Sequence, residues 1–431
     1  MQKRFPQLNG TVLVNGGIAA FALYFCMYAF RKPFSVATFE DMSLWGVDYK
    51  ILLILAQVMG YMLAKFMGIR IISALRHQQR PRYLIFMILM AELSLILFAL
   101  LPQPYNFVLF FFNGLALGMI WGIVFSYLEG RQTTEILSVI LCTSFIISSG
   151  AVKSVGLWIM SALKVTEFWM PAFTGALFLL PFFVFMVLLE RLPPPTAADE
   201  AARKKRGPMA KADRQKVLSH FALPMVALVL FYVVLTALRD FRDNFSRELW
   251  DSMGYEDNVA IYTYSEIPIA VLVLILLGLF GWVKHNAKAF FGFHGLFILL
   301  CCVMAFSTLM YQKGLLSPLW WMMAVGYGMY ACYVPFNSIF FDRMIATFSI
   351  KGNAGFLIYI ADAFGYLGSM VVLLYKNFGQ AGLSWLHFFI GAIYALAALG
   401  VLASGVSLFY FQRKYVRMKA GVELNIVNAN G

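Results

Sequence analysis

Of 431 residues, 61% are hydrophobic and 17% aromatic, while only 13% are charged. Soluble domains carry roughly a quarter charged residues, so this composition excludes a water-soluble fold, and recurrent apolar runs of about twenty residues exclude a β-barrel with its short alternating strands. The net charge of +13 would suggest nucleic acid as the partner of a soluble protein; here its placement reports topology.

The apolar runs predict twelve spans, near 9–38, 48–71, 83–101, 105–128, 136–162, 168–190, 219–246, 258–282, 288–311, 318–341, 353–376 and 385–411. The first has no small-residue cleavage site, so it is expected to stay as a helix rather than be removed as a signal peptide. In it, Arg31 and Lys32 follow an almost wholly apolar run, and apolar residues resume at Pro33 and Phe34. One reading ends the helix there, with Arg31 snorkelling to the outer interface. The other carries Arg31 into a water-filled cavity, as the apolar continuation to Phe39 and the phenols of Tyr24 and Tyr28 on the same helical face favour. Pro33 is expected to push Lys32 away from helical geometry.

Span 2 places Gln57, Tyr61 and Lys65 at spacings of four. Snorkelling at the cytoplasmic end and a place in the cavity are equally open for Lys65. Glu92 in span 3 is a lone buried acid without an evident partner. In span 5 Lys153 sits among small residues, in "IISSGAVKSVG", where helices approach closely and lysine is expected to face protein. After span 6 the stretch 191–216, rich in proline, alanine and charge, reads as a linker between an N-terminal six-helix half (1–190) and a C-terminal one (217–431).

In span 7, Tyr232, Thr236 and Arg239 repeat the spacing of Tyr24, Tyr28 and Arg31, each offset by 208 residues. This marks an internal parallel repeat. Asp240 and Asp243 are close enough to Arg239 and Arg242 for local pairing. Glu266 in "YTYSEIP" and Asp362 in "YIADAFGYLG" are buried carboxylates flanked by tyrosines, read either as structural ion pairs or as proton sites. Gly355, Gly365 and Gly368 suit close packing or hinge freedom. Even-numbered loops and both tails are basic, including the Arg203–Arg206 cluster, Lys3, Arg4 and Lys419, while odd-numbered loops hold Glu40, Asp41, Glu167 and Asp251. The positive-inside rule then places both termini and the linker in the cytoplasm. The five cysteines lie inside apolar spans, with neither metal spacing nor a disulfide framework.

With these motifs in view, the chain resembles the major facilitator superfamily, nearest to its organophosphate:phosphate antiporters. "YAFRKPF" is similar to that family's first-helix arginine–lysine stretch, "YMLAKFMG" to its helix 2 lysine segment, and "VVLTALRDF", "YTYSEIP" and "GNAGFLIYIADAFGYLG" to parts of helices 7, 8 and 11. It departs from the family in Pro33, where an asparagine is usual, and at the helix 5 histidine, which falls near Ser144. The helix 2–3 loop also lacks the usual acidic residue. An anionic substrate is therefore implied more firmly than a phosphate.

The resemblance implies an all-α integral membrane protein of twelve transmembrane helices in two pseudo-symmetric six-helix bundles. Its activity would be secondary transport of a small organic anion by alternating access in an inner (plasma) membrane. Arg31 and Arg239 would grip the anion, Lys65 and Lys153 would assist, and Tyr24, Tyr28, Tyr232 and Tyr359 would line the site, with Glu266, Asp362 and Asp243 as coupling or ion-pair groups. A monomer without cofactor or metal is expected. The residues also admit a proton-coupled symporter of a sugar derivative or peptide-like solute, and a non-transporting sensor or scaffold. An enzyme is not expected: no Walker-type phosphate loop, metal constellation or nucleophile–base pair is present.

Overall fold

The structure, a computed structural model, describes residues 10–131, 133–196, 199, 221–256, 258–350, 354–379 and 382–420. The basic clusters expected at 3–4 and 203–206, and most of the linker, lie outside the described residues. In hydrocarbon every backbone N–H and C=O needs a partner within the chain, which turns apolar runs of this length into helices. The helices are α1 (Gly10–Tyr28), α2 (Tyr49–Ala74), α3 (Arg80–Leu100), α4 (Val108–Leu117), α5 (Ile120–Leu128), α6 (Thr134–Leu163), α7 (Met170–Glu190) and α8 (Ala222–Asn244). They continue as α9 (Ser246–Asp251), α10 (Ile261–Gly281), α11 (Asn286–Gln312), α12 (Pro318–Ser338), α13 (Phe340–Thr347), α14 (Ala354–Leu374) and α15 (Trp385–Lys419). Among the described residues nine helical stretches are long and apolar enough to cross a membrane, and Leu13–Tyr28 is a shorter apolar helix. The chain is an all-α, multi-pass membrane protein.

Three expected spans are interrupted, the tenth only near its end, where α12 stops at Ser338 and α13 starts at Phe340. The fourth is two helices, α4 and α5, meeting at Gly118 and Met119. The first leaves α-helical geometry after Tyr28. The amides of Ala29, Phe30 and Arg31 bond three residues back, to Cys26, Met27 and Tyr28, and a short 3-10 turn follows at Pro33–Val36. Pro33 lacks an N–H and its ring clashes with the carbonyl four residues earlier, so the α-helix cannot run through it. Lys32, contrary to expectation, keeps near-helical angles (φ −108°, ψ −21°); the tightened turn, rather than an extended Lys32, absorbs the proline.

Contacts group the chain into two compact units. Unit 1 is residues 1–202, 240–271 and 370–386; unit 2 is 203–239, 272–369 and 387–431. In unit 1, α1 packs on α6 and α7, and α4 packs on α2 and α3. The α2–α4 crossing depends on glycine. A Cβ on Gly60 would overlap the Phe111 carbonyl, and one on Gly114 the Gln57 carbonyl, so the backbones touch where any side chain would separate them. In unit 2 the same role falls to Gly365 and Gly368, set against Thr236 and Val233, and to Gly400 against Phe231 and Cys301. Aromatic rings fill the remaining space, with Phe336 and Phe340 at the centre of contacts to Phe297 and Phe341.

The segment between α1 and α2 is built tightly. Strands β1 (Ser43–Leu44) and β2 (Val47–Asp48) pair antiparallel across Trp45 and Gly46, whose φ angles of 56° and 74° are those of the hairpin turn with both central residues left-handed. Asp48 then caps α2, its Oδ1 accepting from the Lys50 amide at 2.8 Å. Just before the hairpin, Glu167 accepts from the amides of Thr38 (2.8 Å) and Phe39 (3.0 Å) and from the Thr38 hydroxyl (3.1 Å).

Candidate functional site

In unit 1 the break after α1 sets the geometry. Ending the helix leaves the carbonyls of Phe30 and Arg31 without helical partners, and a buried orphan carbonyl is costly. Two side-chain amides from neighbouring helices take them up. Asn113 of α4 donates to Phe30 O (3.0 Å), and Gln57 of α2 donates to Arg31 O (3.1 Å) and to Asn113 Oδ1 (2.9 Å). The break is thereby pinned to α2 and α4.

Arg31 itself is buried, 6% exposed. Its guanidinium carbon lies 4.0 Å from the centroid of the Tyr61 ring and 5.8 Å from that of Tyr28, inside the range of cation–π attraction. Tyr24 meets Tyr28 edge-on at 5.6 Å. Lys65, also buried, lies 5.5 Å from the same Tyr61 ring and 5.2 Å from Trp121. Tyr61, one turn before Lys65, is therefore a shared seat for two cations.

A second cluster in unit 1 centres on Asp243. Its Oδ2 meets the Lys32 ammonium, and its Oδ1 meets Lys153 at 2.6 Å and also accepts from the Ser149 hydroxyl. Lys32 donates as well to Asn244 Oδ1 (2.8 Å), and Lys153 to the Asp243 carbonyl (2.5 Å). The local pairing expected of Asp243 is replaced by two lysines from α6 and the α1 break, because Arg242 turns instead to Glu266 of α10 at 2.7 Å. Gly150 lets this happen: a Cβ there would overlap the Tyr262 carbonyl and lie 2.9 Å from Glu266 Cγ. All five charged side chains are at most 9% exposed. Such a network tolerates burial only when every charge is matched by partners.

Unit 2 holds the other expected residues. Arg239 is 6% exposed, its guanidinium carbon 4.2 Å from the centroid of Tyr333. Tyr333 stacks on Tyr232 at 5.4 Å. The Tyr232 hydroxyl donates to Asp362 Oδ1 (2.6 Å) and accepts from Asn337 Nδ2 (2.9 Å). Each unit thus seats one buried arginine on a tyrosine ring. The side chain of Tyr359 lies outside the described residues.

The model of a family of unknown function, DUF5690, matches residues 33–414. The chain belongs to this family. Comparison with the curated proteins gives no match. Among solved structures it is similar to a bacterial homologue of the human drug peptide transporters PepT1 and PepT2, at 13% identity over 94% of this chain and 99% of that one, TM-score 0.60. It is also similar to the nucleoside transporter NupG (14% identity, 93% and 100% covered, TM-score 0.57). A third likeness is to XylE, a major facilitator superfamily proton:xylose symporter (16%, 96% and 97%, 0.60). These likenesses establish that this member of the DUF5690 family has the major facilitator superfamily fold.

Several residues of the site carry no charge and are not marked by any charge pattern in the sequence. Asn113, Tyr333 and Asn337 are each a polar side chain in an otherwise apolar run ("FFFNGLALG", "ACYVPFNS"). An amide inside a span is itself a signal, since it has to find a partner in the protein. Lys32, whose charge in the first span needs a partner, finds it in Asp243.

Proposed function

We propose that the chain is a secondary active transporter that moves a small organic anion, an organophosphate exchanged for phosphate in the finer reading, by alternating access. The observation that carries this is the repeated seat: Arg31 on Tyr61 and Arg239 on Tyr333, each arginine buried and each at the same place in its sequence repeat. A buried guanidinium inside an apolar span is expensive and marks function by default. Its planar fork suits carboxylate or phosphate oxygens and stays charged at any working pH. Lys65 and Lys153 add positive charge, and Tyr24, Tyr28, Tyr232 and Tyr359 supply phenols. The likeness in fold to peptide, nucleoside and xylose transporters supports transport as the class of activity. The basic loops and tails support placing both termini in the cytoplasm, the family resemblance supports an inner (plasma) membrane, and the composition of 191–216 supports a linker between halves 1–190 and 217–431.

The test is thermal stabilisation of the detergent-purified protein by glycerol phosphate, hexose phosphates, small carboxylates and neutral sugars, since a ligand of the native state raises the melting temperature. Anions are expected to stabilise wild type, while Arg31→Ala and Arg239→Ala lose the response. Stabilisation by neutral sugars alone, or variants that respond as wild type does, would sink the anion reading.

A further inference from the structure

Three buried carboxylates among the described residues have partners of known identity: Glu266 has Arg242, Asp243 has two lysines, and Asp362 accepts from Tyr232. Glu92 differs. It is 6% exposed, although Leu89, one turn earlier on α3, is 46% exposed. Its Oε2 has no hydrogen-bond partner among the described residues. A Cβ on Gly175 of α7 would overlap Glu92 Oε2 and lie 2.9 Å from the Phe30 ring, so the carboxyl is wedged between α7 and the first residues past α1.

The charged and titratable groups of the elements around it are at their ends: Arg80, Arg82 and Tyr83 in the first turn of α3, His77 and Tyr105 in the flanking turns, Tyr127 late in α5 and Glu190 at the end of α7. On the α1 side the nearest cation by sequence is Arg31, which is seated on Tyr61.

A carboxylate without donor or counter-ion cannot be kept dry; it takes up a proton or draws water in. Position says what the second outcome would move. Asn113 Nδ2, which holds Phe30 O, also donates to the carbonyl of Ala91, the residue before Glu92 (3.3 Å). Glu92 is therefore tied to the α1 break in two ways: it and the Phe30 ring border the same position at Gly175, and one residue away the Asn113 amide bridges Ala91 O and Phe30 O.

We propose that Glu92 is a proton-binding site that controls the α1 break. Protonated, it sits dry against Gly175 and Phe30. When its O–H bond breaks and the proton passes to water, the electron pair stays on the carboxylate, the ion draws in water, and the packing of Phe30 loosens. The break that carries Arg31 loosens with it. The proposal goes beyond the transport reading and does not depend on any substrate.

The test is hydrogen exchange on the full chain in detergent, wild type beside Glu92→Gln and Glu92→Leu, read by peptide. In wild type, protection of residues 28–37, corrected for the intrinsic pH dependence of exchange, is expected to fall about fivefold or more between about pH 5 and about pH 9. In both variants it stays constant, and peptides from α11 are unchanged throughout. Wild type that keeps its protection, variants that lose it as wild type does, or a wild-type loss spread evenly over the chain each overturn the proposal. Should one variant fail to fold, the other carries the comparison, and a flat wild-type profile is decisive alone.

Discussion

Lys153 holds Asp243 twice, its ammonium 2.6 Å from the carboxylate Oδ1 and 2.5 Å from the main-chain carbonyl of the same residue. With Lys32 on the other oxygen, two cations are fixed by one anion in a region closed to solvent.

The first prediction follows from that ratio. Asp243→Asn leaves two buried ammonium groups facing a neutral amide, and breaking a buried pair in this way costs about 3–5 kcal/mol. Adding Lys153→Met to the same chain removes one of the stranded charges and is expected to recover part of the loss. Thermal unfolding in detergent of the two singles and the double gives the coupling; strictly additive effects would mean the lysine and aspartate act independently.

Tyr61 should matter above all for its ring. Both Arg31 and Lys65 lie within reach of the ring centroid, and each contact of this kind is worth roughly 0.5–2 kcal/mol. Tyr61→Leu, which loses the ring, is expected to melt earlier than Tyr61→Phe, which keeps it, and to weaken the response to anions more. Equal losses in the two variants would place the importance in the hydroxyl instead.

Gly114→Ala tests the α2–α4 crossing. The added methyl has no room against the Gln57 carbonyl, and overpacking of this sort costs about 1–3 kcal/mol, more when backbone must move. Because Gln57 also holds Arg31 O, the same substitution should raise hydrogen exchange at residues 29–32. An unaltered melting temperature would show that the helices separate without penalty.

Glu167→Gln probes the loop between α1 and α2. The carboxylate takes three hydrogen bonds from Thr38 and Phe39, and bonds to a charged group are worth about 1.5–3 kcal/mol each way the pair is broken. Glutamine keeps one accepting oxygen, so a partial loss of stability is expected, with added protease sensitivity near residues 38–46. A variant as protease-resistant as wild type would show that the carboxylate is not what holds this loop.

The helical class and the membrane setting were legible because apolar length and charge are local properties of the sequence. The repeat linking Arg31 to Arg239 was legible for the same reason, as a spacing. What the sequence concealed were partners set by the fold. Asp243 has Arg239 and Arg242 beside it in the chain, yet it binds Lys32 and Lys153, 211 and 90 residues away by number. Pairing in a span is decided by which helix faces which, and that depends on small residues such as Gly150 whose meaning appears only once a neighbour is in place. The early end of α1 was half legible: Pro33 announced a break, but the amides that make it tolerable, Asn113 and Gln57, sit on other helices.

That last arrangement has a consequence for how the chain is made. The carbonyl of Phe30 is satisfied by Asn113, 83 residues further along the chain. At roughly 5–20 residues per second of synthesis, about 4–17 s pass between the two leaving the ribosome. Through that interval the end of the first span has an unpartnered carbonyl that lipid cannot satisfy. The first span should therefore stay at the edge of the insertion machinery, or in water, until the fourth arrives. A nascent chain stopped before Asn113 is expected to crosslink there, and one stopped after it to be released into the bilayer.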